Sequence, residues 1–317
     1  MSSSGSSSAA PARRFLIEAS LQPSTLSKYR DAVCQFLDWC ADNQRDATTP
    51  DELDDLLTDY LHELYEDNGG VGKTTASHTI FGLVKYLPRC SGQLPTAMAS
   101  LKGWLKLRPS TSYPPLTWEL AVVLACHLTS RGHLREGVGV LLSFDCLLRV
   151  GELVGLRRCD VADSGDLRLG SEYRGTALRL RHTKTGPNQW VQVDNSAVRD
   201  LLRCAVRSAA KSTDFLFPFT AASYRTKFKA ACSELGLSSL YVPHSLRHGG
   251  ATRLHLLGRS VEDILMRGRW QSTKSARRYI QAGRALLLNA RVPQALVEVG
   301  SVLSRDVVLA LSRALSQ

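Results

Sequence analysis

His244-Ser245-Leu246-Arg247-His248, followed by Gly268-Arg269-Trp270 and then Tyr279, is the stretch on which the reading of this chain turns. His244 and Arg247 stand three apart, so a helix would place both on one face. A second arginine lies far upstream, in Leu148-Arg149-Val150-Gly151-Glu152-Leu153. Two guanidinium groups can grip one phosphate through paired hydrogen bonds. A tyrosine hydroxyl can attack that phosphate and become covalently joined to it. The residue types compose an anion-binding constellation with a nucleophile attached.

Working outward, the segment after Pro243 reads as a helix through Leu257, with further helical patterns over 261–267 and 274–288. Ala177 to Arg181 alternates apolar and basic residues at period two, as does Trp190 to Val193. His182-Thr183-Lys184-Thr185-Gly186-Pro187-Asn188-Gln189 between them predicts a hairpin loop. Apolar-rich helices are expected over 116–128 and 136–148, with 151–156 continuing the second or starting a new turn. Two more are expected over 196–210 and 221–235. Upstream of Arg108-Pro109-Ser110-Thr111-Ser112-Tyr113-Pro114-Pro115, which has linker composition, the pattern is helical throughout. Structure is expected to begin near Pro23. Leu53, Leu56, Leu57, Tyr60, Leu61 and Leu64 form one face of a helix over 51–68 whose other face is acidic. Residues 75–87 and 97–107 complete this module. Residues 1–20 are Ser-rich and read as a disordered tail.

The 317 residues carry a net charge of +11, unevenly placed. Residues 1–110 hold 11 Lys/Arg against 13 Asp/Glu, a balance of −2, and the remainder is +13. The second part therefore faces a polyanion. No apolar run approaches a membrane span, and the opening residues lack the apolar core of a secretory signal. The eight cysteines form no Cys-x-x-Cys pair and read as buried thiols of a reducing compartment.

These residues resemble the catalytic set of the tyrosine site-specific recombinases, the phage-type integrases. That set runs Arg, a hairpin Lys, His-x-x-Arg, His or Trp, then Tyr. The resemblance is close over about residues 115–285, and over 20–110 it rests on position and helical character. It implies a mainly α fold with a small β-sheet. A tail over 1–20 would be followed by a helical DNA-binding, core-binding-like domain over 21–110. An α+β catalytic domain would occupy 111–290, and a carboxy-terminal helix 291–317. The implied function is site-specific DNA recombination through a 3′-phosphotyrosyl intermediate, without metal, ATP or other cofactor. The implied partners are double-stranded DNA and further copies of the chain, a tetramer on DNA, and no membrane. The location would be intracellular, with the DNA. The alternatives are a related DNA-relaxing or hairpin-resolving enzyme, or a DNA-binding regulator that keeps the fold.

By the same resemblance Arg149 and Arg247 clamp the phosphate, and Lys184 protonates the leaving 5′ oxygen from a mobile hairpin tip. His244 handles protons or bonds the phosphate. Trp270 donates an indole hydrogen bond, which cannot carry a proton, and Tyr279 is the nucleophile. Glu152 and His248 support the site. Arg181, Lys73, Arg269, Lys274 and Arg277 are candidates for contact with DNA.

Two rival readings fail. Gly69-Gly70-Val71-Gly72-Lys73-Thr74 imitates the end of a phosphate-binding loop, but the first glycine of that motif would fall on Asp67, and the context is helical. His244 and His248 form an i, i+4 pair, yet Ser-Leu-Arg between them brings no base, and Arg247 would repel a metal cation. The apolar residues at helical spacing from Val292 to Leu315 predict a helix. It either folds back on its own core or docks on a neighbouring subunit.

Overall fold

The computed structural model describes residues 19–109, 112–164, 166, 172, 174–289 and 292–316. The disordered tail expected over 1–20 lies, for residues 1–18, outside them. The chain divides into two compact units, Met1–Thr111 and Ser112–Gln317.

The first unit contains helices α1 (Pro23–Asp42), α2 (Pro50–Asp67), α3 (Lys73–Tyr86) and α4 (Pro95–Leu107). Proline stands in the first turn of α1, α2 and α4, where its missing N–H costs nothing. Thr49 and Glu52 close a reciprocal cap on α2, at 3.2 and 3.1 Å. Phe36, Leu57, Leu61, Ile80, Leu101 and Trp104 form the core. Asp54, buried on α2, accepts the amides of Thr96 and Ala97 at 2.8 and 2.9 Å. It thereby holds the positive end of α4. Gly69, Gly70 and Gly72 take φ of 55°, 78° and 104°. The glycine-rich run is thus a left-handed turn between two helices, not the strand-to-helix loop that phosphate binding of that kind needs.

The second unit is built of α5 (Trp118–Ser130), α6 (Leu134–Asp145), the short α7 (Val150–Val154), α8 (Ser196–Arg207), α9 (Ala221–Glu234) and α10 (Pro243–Leu256). It continues with α11 (Val261–Gly268), α12 (Thr273–Arg277), α13 (Ala282–Asn289), α14 (Gln294–Leu303) and α15 (Val307–Leu315). Its antiparallel sheet runs β1 (Val161–Ala162), β2 (Ala177–Thr183), β3 (Gly186–Gln192), in that order. Leu178 pairs with both Val161 and Val191. Leu178, Leu180 and Val191 face a core shared with Leu120, Leu124 and Leu128 of α5, Leu141 and Leu142 of α6, and Phe228 of α9. The mainly helical fold with a small sheet agrees with the expectation. Among the described residues no disulfide forms, no helix is long and apolar enough to cross a membrane, and no His/Cys/Asp/Glu cluster could hold a metal ion.

Four local readings change. The hairpin loop shrinks to Lys184-Thr185, because Thr183 pairs with Gly186 and His182 with Pro187. Gly186, at φ 136°, relieves the tight turn. The second apolar helix stops at Asp145 rather than Leu148, because Leu147 turns left-handed at φ 51°. The helix expected over 274–288 is cut in two, with Tyr279 in the gap. The tail over 292–315 is also two helices, with Asp306 capping the second through the amide of Leu309 at 3.0 Å. Both pack on α5 of their own chain. Val307, Leu311 and Ala314 enter the core, which is the fold-back alternative.

Candidate active site

α10 is pressed deep into the second unit. The amide of Leu116 donates to the carbonyl of Ser245 at 3.1 Å. Gly249 and Gly250 lie directly on the backbone of Leu116 and Phe144, where any Cβ would collide. Two glycines in mid-helix weaken it locally, and the close approach they permit explains them. The approach sets Arg247, 0% exposed, beneath the α6–α7 turn.

That turn is unusual. A leucine in the left-handed region costs about 1–2 kcal/mol, and two arginines hold it there. Arg247 donates one nitrogen to the carbonyl of Leu147 and another to that of Gly268. Arg269 donates to the same Leu147 carbonyl at 2.9 Å. The chain then emerges as Arg149, the N-cap of α7. Glu152, three residues on, accepts the Arg149 amide at 2.9 Å and its guanidinium at 2.6 Å. Glu152 also accepts Arg269 at 3.0 Å and lies 4.0 Å from Arg247. Burial works to raise this carboxyl, but Arg269 and the amide and guanidinium of Arg149 outweigh it and hold it below the ordinary carboxylate value. One buried carboxylate thus serves three arginines.

Arg149 keeps 23% of its side chain exposed, whereas Arg247 and Arg269 are buried. Burial, with Arg149 and Arg269 adding their charge, disfavours the protonated form of Arg247. The cluster therefore holds more positive charge than Glu152 neutralises. The side-chain nitrogens Arg247 Nε, Arg269 Nε and Trp270 Nε1 are buried without a hydrogen-bond partner among the described residues. Buried donors of this kind are costly unless something accepts from them.

Tyr279 sits against this cluster in the same chain. Its ring stacks on His248 at 4.4 Å between centroids and lies 4.5 Å from the Trp270 ring. The Arg247 guanidinium carbon is 4.6 Å from the Trp270 centroid and 5.4 Å from that of Tyr279. The Tyr279 hydroxyl is 3.2 Å from His244 Nε2. Burial, then the charges of Arg247 and Arg149, push His244 down to about 4. It is neutral near pH 7 and can present a lone pair to the phenol. His248 is pushed down to about 3 by burial and by His244. Its Nδ1 accepts from Gln281 Nε2 at 3.2 Å. Thr252 donates to the Tyr279 carbonyl and accepts the Gln281 amide, both at 3.1 Å.

The structure thus brings together Arg149, Glu152, His244, Arg247, His248, Trp270 and Tyr279. Lys184 is exposed at the hairpin tip. Its neighbour Thr185 is 3.2 Å from the Arg269 carbonyl, which pins the tip beside Trp270. Lys274 and Arg277 are exposed on α12.

Three residues expected to contact DNA have partners within the protein. Arg269 is 7% exposed and bonds inward to Glu152, because a left-handed φ of 56° turns its side chain under α7. Arg181 is paired with fully buried Asp160 at 2.8 Å, which ties β2 to the turn before β1. Lys73 donates to the Arg108 carbonyl at 2.7 Å, at the C-terminal end of α4. The sequence pattern does not single out Thr252 or Gln281. The signal for Thr252 was its spacing, four residues beyond His248 and eight beyond His244.

The profile of the phage integrase family matches residues 123–285, just over half of the chain. The chain belongs to that family, and it is a tyrosine recombinase of the integrase class. No curated protein sequence matches it. Among solved structures, a lambda integrase dimer bound to a COC′ core site is 15% identical, with 86% of this chain and 93% of that chain covered and a TM-score of 0.57. The Tn1549 transposon integrase in complex with transposon right end DNA is 14% identical, with 88% and 98% covered and a TM-score of 0.57. At these identities the likeness establishes the fold.

Proposed function

We propose that this chain cuts and rejoins double-stranded DNA at specific sites through a covalent link to Tyr279. The phenol oxygen attacks the scissile phosphorus and the bond to the 5′ oxygen breaks. The products are a 3′-phosphotyrosyl link and a free 5′-hydroxyl. The phenol proton passes to His244 Nε2, and Lys184 supplies the proton taken by the 5′ oxygen. Arg149, Arg247 and the Trp270 indole hold the non-bridging oxygens as negative charge accumulates in the transition state. Phosphate charge beside Arg149 and Arg247 offsets the repulsion that lowers His244, so the histidine becomes a better base once DNA is bound.

A 5′-hydroxyl from a partner strand reverses the step. The phosphodiester energy is kept in the link, so the chemistry requires neither ATP nor metal. The amino-terminal helices over 21–110 supply a further DNA surface, and Lys274 and Arg277 meet the backbone. Full exchange uses two sites and four copies of the chain.

The observation that carries this reading is the 3.2 Å contact between the Tyr279 hydroxyl and His244, set beside buried guanidinium and indole donors that lack an acceptor. Tyr279→Phe is expected to abolish covalent adducts on a nicked suicide duplex while leaving duplex affinity within about twofold. Adducts that persist in this variant would refute the nucleophile assignment.

A further inference from the structure

His244, His248 and Thr252 recur at intervals of four on α10 and share one face. All three hold Tyr279, each by a different part. His244 meets the hydroxyl at 3.2 Å, His248 stacks on the ring at 4.4 Å, and Thr252 bonds the backbone at 3.1 Å. The third contact concerns the break in the chain at the nucleophile. The sequence from Lys274 to Leu288 has the pattern of one continuous helix. In a continuous helix the amide of Gln281 would bond the carbonyl of Arg277, four residues back. Instead it bonds the Thr252 hydroxyl at 3.1 Å, and the same hydroxyl donates to the Tyr279 carbonyl. Thr252 is 3% exposed, so water cannot readily replace it. Its single hydroxyl substitutes for the helical bonds on both sides of Ile280.

We propose that Thr252 is a positioning residue for the nucleophile. By interrupting the helix between α12 and α13 it fixes the backbone of Tyr279, so that the phenol meets His244 and lies between His248 and Trp270. A segment free to continue as a helix would swing the ring off this stack. The inference rests on Tyr279 being the nucleophile, and the experiment separates the two.

Thr252→Val keeps the shape and removes both hydrogen bonds, whereas Thr252→Ser keeps both. Single-turnover adduct formation on a nicked suicide duplex, at saturating full-length protein, is measured beside duplex affinity and thermal melting. Thr252→Val is expected to slow adduct formation at least tenfold, with affinity within twofold of wild type. Thr252→Ser is expected to stay within threefold of the wild-type rate. The proposal is overturned if the valine variant cleaves at the wild-type rate, if its deficit is accounted for by weaker DNA binding, or if serine falls as far as valine. Should the valine variant not fold, Thr252→Ala against Thr252→Ser applies the same criteria. Tyr279→Phe runs alongside: adducts in that variant sink the nucleophile assignment itself. An inert Tyr279→Phe with a fully active Thr252→Val sinks only the role given to Thr252.

Discussion

In the amino-terminal unit Arg45 meets Asp59 at 2.6 Å with both side chains about half exposed. In the second unit Glu152 lies among Arg149, Arg247 and Arg269 with 3% of its side chain exposed. The ion pairs look alike as distances and differ in what surrounds them. Water solvates the Arg45 pair in either state, so little depends on it. The Glu152 cluster has given up its hydration, and each member depends on the others. The first unit therefore stands on its aromatic and aliphatic core around Phe36 and Trp104, with Asp54 as its buried charge. The second unit places its buried charge where three chain segments meet, and leaves donors over.

Three measurements test this contrast. The largest effect is expected from Arg269→Met, which leaves Glu152 short of a buried partner. Urea denaturation should show a loss of about 3–5 kcal/mol, the usual cost of breaking a buried pair. Much of it should return when Glu152→Gln is added. A loss under 1 kcal/mol would mean that the cluster behaves like a surface pair.

The next effect is pH dependence. An unfolded histidine titrates near 6.5, whereas folded His248 titrates at about 3 and His244 at about 4. Between these values the unfolded chain binds protons that the folded chain excludes. Stability of the second unit should therefore fall as pH drops below about 6.5, by up to roughly 1.4 kcal/mol per pH unit for each histidine. His248→Gln should flatten the slope between pH 6.5 and 4. A slope equal to that of wild type would show that His248 takes up its proton in the folded state. The smallest effect belongs to Arg45→Ala, which should cost under about 1 kcal/mol in the same urea assay and less at high salt. A larger loss would erase the distinction between the units.

Much of this is legible in the sequence. The helical periods around Leu57, Leu124 and Phe228 follow from one-dimensional patterning, since burial on one face is a local property of spacing. The members of the site were legible as a set, because their order and residue types match a phosphate-transfer constellation. Interruptions were not. Leu147 has no side-chain signature of a left-handed turn, and its conformation depends on Arg247 and Arg269 from a hundred residues away. The break at Tyr279 opposes the local helical pattern and depends on Thr252. The internal partners of Arg181, Lys73 and Arg269 were equally invisible, because nothing near an arginine or lysine in the chain names Asp160, a helix end or Glu152 as its partner.

The sequence alone determined which groups exist for the chemistry and which segments become helix or strand, because side-chain identity and periodicity act over a few residues. Folding then selects which guanidinium groups are tied to Glu152, which charges stay at the surface, and how Tyr279 is turned toward His244. Desolvation and hydrogen bonding between distant segments set these outcomes, and neither is a property of any short stretch of chain.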